Sequence, residues 1–281
     1  MSLKRQELSC LRSYIHQTDG LSRYFFQLWD IYYFSDHSKL FAHNSELKGG
    51  FIFQRDQYLT LAGNLTFQEF SALRWEHDKL ILNFDQNHWP MITSLFDNFR
   101  PTDETGDPNK IYNRFFVMRM YRDQWNMSEP DFGSGSSVGK ILMVTPDREF
   151  DELKQRTFDI PGLSSIPTVL LFDATNSEPA AFARIPTILS KDVSKDNEWS
   201  FGVIRDVWVR PAHRRRGYAS IVMDRALQWL FEEQHLAQAF LYVESTNAPA
   251  VALYKKLGWQ KADEVLSCYA NPSAGLCKNS R

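Results

Sequence analysis

Between residues 211 and 220 the chain reads PAHRRRGYAS, an order of residue types that suits an anion. Arg214, Arg215 and Arg216 bring three positive charges, and Gly217 and Ala219 are small enough to let a ligand reach the backbone. Helical periodicity begins with Tyr218, so a helix would open here. The first amides of a helix lack internal partners, and its dipole favours negative charge at that end. One phosphate or pyrophosphate could use those amides together with the arginines, each charge-assisted hydrogen bond contributing roughly 1.5–3 kcal/mol when well formed. The same letters have plainer readings: a solvated arginine loop ahead of a helix that packs closely on a strand, or a short basic patch for nucleic acid. Against the last, the run is only three residues long, and no aromatic platform accompanies it.

Other chemistry is poorly represented. The histidines lack HExxH or paired-ligand spacing, and neither GxSxG nor GxxxxGK[ST] occurs, so no metal centre and no nucleotide-triphosphate site is expected. Cys10, Cys268 and Cys277 make neither a disulfide framework nor a zinc site, which points to a reducing compartment, the cytoplasm. A formal net charge of -2 draws the protein to no polyanion. No apolar signal core or membrane-length run is visible, and no membrane partner is expected.

The elements around the arginine turn follow from pattern. FGVIRDVWV (201–209) is a β-branched and aromatic run that ends at Arg210-Pro211, where proline stops a ladder. From Tyr218 to Phe231, Val222, Ala226 and Leu230 form one apolar stripe of a helix, and AFLYV (239–243) reads as a second buried strand. Strand, helix, strand at this spacing implies a βαβ crossover and parallel pairing of the two strands. NAPAVALYKKLGW (247–259) then reads as a helix capped by Asn247, with Lys255 and Lys256 in its last turn and Gly258 in the left-handed position that ends it.

Upstream, KILMVTP, TVLLFDAT and AAFARIPT read as strands, DREFDELKQRTF as a helix and LSKDVSKDNEWS as a loop. SEPDFGSGSSVGK is the clearest linker, which sets domains at 1–130 and 139–281 with a linker at 131–138. The first half begins with a helical stretch from Lys4 to about Leu28, followed by strands, helix, strand, helix and strand. That order fits either a degenerate copy of the second half or an unrelated α/β cap.

DVWVRPAHRRRGYASIVMDRAL resembles the acetyl-CoA-binding segment of the GNAT superfamily of N-acetyltransferases, whose signature is Arg or Gln, two residues, Gly, one residue, Gly or Ala. Arg214, Gly217 and Ala219 fill those positions. Asn247, Ala248, Tyr254 and Leu257-Gly258-Trp259 are similar in order and spacing to that family's second signature. The resemblance implies an α/β mixed-sheet, GNAT-like fold in two tandem domains, the first degenerate and lacking the cofactor signature. It also implies acetyl-CoA as co-substrate. Val207 and Val209 would offer backbone groups to the pantetheine arm, in a gap where their strand and that of Val243 splay apart. Arg214, Arg215, Arg216, Gly217, Tyr218 and Ala219 would hold the pyrophosphate, chiefly through backbone amides.

Asn247 would hydrogen-bond the pantetheine or serve as helix cap, or both. Tyr254 would protonate the thiolate leaving group as general acid; its plainer reading is a core tyrosine. Asp206 would be general base, a substrate contact or one half of an ion pair, with Glu244 as second candidate base. The reaction implied is acetyl transfer to a primary amine of a small molecule or peptide, by direct attack in a ternary complex. The first half would shape the acceptor site or a homodimer interface. A non-catalytic acyl-CoA-binding sensor and a nucleic-acid-associated protein are the alternatives.

Overall fold

The computed structural model describes residues 3–18, 20–102, 110–126, 138–145, 166–174, 178–190 and 199–273. The expected helix over 147–158, Cys277, and the expected linker up to residue 137 lie outside them. The chain forms two compact units: Met1–Val117 with Val243–Ala248 and Lys261–Arg281, and Met118–Tyr242 with Pro249–Gln260.

The first unit contains β1 (Lys4–Gln6), α1 (Leu8–Thr18), α2 (Leu21–Tyr33), β2 (Ser38–Ala42), β3 (Gly50–Arg55) and β4 (Tyr58–Gly63). Then come α3 (Phe67–Ser71), β5 (Leu80–Phe84), α4 (Trp89–Leu95) and β6 (Phe96–Pro101). Strands β1 to β4 are antiparallel neighbours, and β4 pairs parallel with β5 over Tyr58–Thr60 and Ile81–Asn83. On the far side of β5 lies not a neighbour in sequence but β13 (Gln260–Pro272), antiparallel, which also carries β6. Apolar residues of these strands close on Phe70, Trp75 and Phe96 to make the core. The single helix expected from Lys4 to about Leu28 is corrected on two counts. Lys4–Gln6 pairs with β2, a tertiary partner that overrides local helix preference. Gly20, the weakest helix former available, sits outside helical geometry and separates α1 from α2.

The second unit contains the end of β7 (Asn113–Tyr121), β8 (Val138–Val144), β9 (Thr168–Asp173), β10 (Pro179–Leu189), β11 (Phe201–Val209) and β12 (Gln238–Glu244, to Tyr242). Among the described residues it also contains helices α5 (Tyr218–Gln228) and α6 (Ala248–Lys256, from Pro249). Strands β8 to β11 form an antiparallel meander, and β11 pairs parallel with β12. β7 flanks β12, with Arg122 N donating to Ala237 O at 3.0 Å. The two units thus repeat one strand order: an antiparallel meander, one parallel pair, then an antiparallel strand drawn from a distant part of the sequence.

Helix α5 buries Ile221, Val222, Met223, Ala226 and Leu227 and packs on β9, β10 and β11. It runs on into one π-helical turn, Trp229–Glu233. Where it crosses β11, the strand carries Gly202: a Cβ there would overlap Leu230, which is fully buried and has no room to swing away. We expect Gly202→Ala to destabilise the protein by roughly 1–3 kcal/mol through overpacking, read from the urea midpoint. An unchanged midpoint would remove this close approach from the requirements of the fold.

Candidate functional site

At the end of β11 the chain turns through Pro211–His213 and reaches α5 by way of two left-handed residues, Arg215 (φ 64) and Gly217 (φ 81). Arg214, ahead of them, is extended (φ -64, ψ 155). Gly217 occupies the N-cap position of α5 and supplies no side-chain cap of the kind that serine or aspartate would bring. Arg214, Arg215 and Arg216 are exposed. Arg214 folds back, its Nε donating to Val209 O at 3.2 Å.

The strands behind this turn part. β11 and β12 pair only over Phe201–Val203 and Gln238–Phe240. Just beyond, β11 carries a bulge: Phe182 faces Trp208 and Arg184 faces Arg205, so β11 holds one extra residue, and Asp206 takes a left-handed conformation (φ 51). A bulge bends its strand and re-aims the residues after it. Arg210 N donates to Ala180 O at 2.8 Å, which turns the peptide groups of Trp208 and Arg210 toward β10. By alternation those of Val207 and Val209 face the opposite edge, where pairing with β12 has ended. Both valines are partly exposed.

The carboxylates expected near the chemistry are engaged. Asp206, 44% exposed at its side chain, holds Arg184 at 2.5 Å, the ion-pair role among its alternatives. Glu244 pairs with Lys110 and accepts from Asn113 Nδ2 at 3.1 Å, all three in the first unit. Asn247, also counted with that unit, is exposed and stands directly before α6.

Tyr254 lies on α6 and is buried, 7% exposed. Its place is fixed by how the helix ends. Trp259 N donates to Tyr254 O at 3.0 Å and Gly258 N to Lys255 O at 3.1 Å, with Gly258 left-handed at φ 86. This is a Schellman cap, whose accompanying apolar contact here is Tyr254 against Trp259, ring centroids 6.3 Å apart. The Leu257-Gly258-Trp259 ending therefore holds the tyrosine itself. Burial pushes the Tyr254 phenol up to about 12, so it stays protonated at neutral pH.

Sequence reading missed Asp173. It ends β9, is 5% exposed, and accepts from Tyr218 Oη at 2.8 Å. No local pattern marks it, because its partners come from a turn on the far side of β10.

The first unit closes the features that the second leaves in place. Its helix after the parallel strand, α3, is capped by its own residues: Thr66 N donates to Glu69 Oε2 at 2.8 Å, and Thr66 Oγ1 accepts from Glu69 N. Burial works against the Glu69 charge, but the Thr66 hydrogen bonds and His43 hold its carboxyl below the ordinary value, so a carboxylate sits at that helix end. Beyond the parallel pair, buried His88 spans the strand ends, its Nε2 2.7 Å from Gly63 O and its Nδ1 accepting from Asp85 N at 3.2 Å.

Residues 140–259 match the sequence profile of the acetyltransferase (GNAT) family. No curated protein is significantly similar to the chain in sequence. Among solved structures, a Drosophila protein superposes with a TM-score of 0.60 at 14% identity, over 96% of this chain and 98% of its own. A GCN5-related N-acetyltransferase from Kribbella flavida gives 0.49 at 13% identity, covering 81% and 88%. A tandem GNAT protein from the clavulanic acid biosynthesis pathway gives 0.46 at 8% identity, covering 83% and 82%. At 14% identity the Drosophila superposition speaks for the fold alone.

Proposed function

Since residues 140–259 form a domain of the GNAT acetyltransferase family, we propose that the chain transfers an acetyl group from acetyl-CoA to a primary amine of a small molecule or peptide. One coincidence carries this reading. The left-handed turn and uncapped helix stand at the end of the same strand whose parallel partner leaves it after Val203. An anion cradle and a gap beside it suit a ligand that is a pyrophosphate at one end and an extended arm at the other.

The amides of Gly217, Tyr218 and Ala219 would take the pyrophosphate, with Arg215 and Arg216 adding charge. The free edge at Val207 and Val209 would take the amide-bearing arm as a strand would; the Val209 carbonyl is already held by Arg214. In the reaction the amine lone pair attacks the thioester carbonyl carbon, and the C–S bond breaks as the tetrahedral intermediate collapses. The sulfur takes its proton from the Tyr254 hydroxyl, and the proton lost by the amine passes to water or a carboxylate. With Glu69 and His88 where its equivalents lie, the first unit takes no cofactor, and one acetyl-CoA binds per chain.

The measurement is release of free thiol from acetyl-CoA against a panel of amino acids, polyamines, aminoglycosides and histone-like peptides. Acceptor-dependent release is expected. The engagement of Asp206 by Arg184, and of Glu244 by Lys110 and Asn113, favours a second reading, a sensor that binds acyl-CoA without turnover. Calorimetric binding of acetyl-CoA with no thiol released by any acceptor would select it.

A further inference from the structure

We propose that Asp173 is a positioning residue for the turn that takes the cofactor pyrophosphate, an inference that rests on the functional reading above. Asp173 is a carboxylate inside the unit, its side chain 4% exposed, and a charge in that position is costly unless donors consume it. Its neighbours are informative. Tyr218 Oη donates to Asp173 Oδ2 at 2.8 Å, and His213 Nε2 stands 3.5 Å from the same oxygen. The His213 and Tyr218 rings stack on each other, centroids 5.7 Å apart and planes 26° from parallel.

His213 directly precedes the segment Arg214–Gly217, and Tyr218 directly follows it. One carboxylate on β9 therefore holds the end of the turn through Tyr218 and stands beside its start at His213. The segment between includes two left-handed residues, Arg215 and Gly217, and the first of them has a side chain that makes this conformation unfavourable. Such backbone persists where its surroundings over-determine it. The Asp173 clamp supplies that constraint from the side of β9.

A clamp of this kind acts on one end of the cofactor, and so its loss has a selective signature. Acetyl-CoA carries the pyrophosphate; S-acetylpantetheine carries the same thioester and arm without it. In Asp173→Asn, the ratio of calorimetric affinities for acetyl-CoA over S-acetylpantetheine should fall about 10- to 100-fold, the range for a hydrogen bond to a buried charge. Tyr218→Phe removes the donor while keeping the stacked ring, and carries the same expectation where the aspartate variant fails to fold. A ratio equal to wild type, or equal loss for both ligands, overturns the clamp. Wild-type protein without affinity for acetyl-CoA overturns the functional reading as well, whereas tight wild-type binding with an unaltered variant overturns Asp173 alone.

Discussion

Tyr254→Phe should lower kcat by roughly 10- to 1,000-fold while leaving acetyl-CoA affinity close to wild type, the range expected for loss of a general acid. The substitution keeps the ring that packs on Trp259 and the Schellman cap beneath it, so the helix end survives and only the O–H is lost. The pH dependence separates this from a packing effect. A phenol pushed up to about 12 is neutral in folded and unfolded chains alike below about pH 9, so Tyr254 adds no pH-dependent stability there. It also keeps its proton throughout. The ratio of wild-type to Tyr254→Phe kcat should therefore hold constant from pH 7 to about pH 9.5 and fall only when the phenol ionises near its raised value. An unchanged kcat in the variant would remove Tyr254 from the chemistry, and a ratio that collapses toward one by pH 10 would sink the raised value.

The second large effect is expected at Gly217. Its φ of 81 lies in the region that side chains resist, at a cost of roughly 1–2 kcal/mol per residue. Gly217→Glu adds to that strain a negative charge at the helix end where the pyrophosphate would sit. Acetyl-CoA binding should drop below detection by calorimetry, while circular dichroism and the thermal midpoint show a folded protein. Gly217→Ala isolates the backbone term and should weaken binding far less, by about tenfold for 1.4 kcal/mol. Retained affinity in Gly217→Glu would sink the cradle.

Much of the second unit was legible because its punctuation is local. Pro211 ends β11, the apolar stripe through Val222, Ala226 and Leu230 marks α5, and Lys255, Lys256 and Gly258 close α6, all as expected from neighbours in sequence. The expected splay follows from a parallel pair that stops after Phe240. What stayed hidden depends on distant partners. β1 is three residues of polar chain that become a strand only against Ala42–Leu40. The bulge at Asp206 is visible only from β10, by the register of Phe182 and Arg184. Asp173 reads as an ordinary strand end until Tyr218 folds back over it. The ion pairs that engage Asp206 and Glu244 likewise join residues far apart in the chain, beyond the reach of any spacing rule.

That β5 is completed by β13 also sets an order of events during synthesis. Leu80–Phe84 leaves the ribosome long before its antiparallel partner Leu266–Ala270 is made. Throughout that interval the nascent first unit carries a bare strand edge beside an incomplete core, the state most exposed to wrong pairing. The first unit therefore closes only after the segments of the second unit have been made.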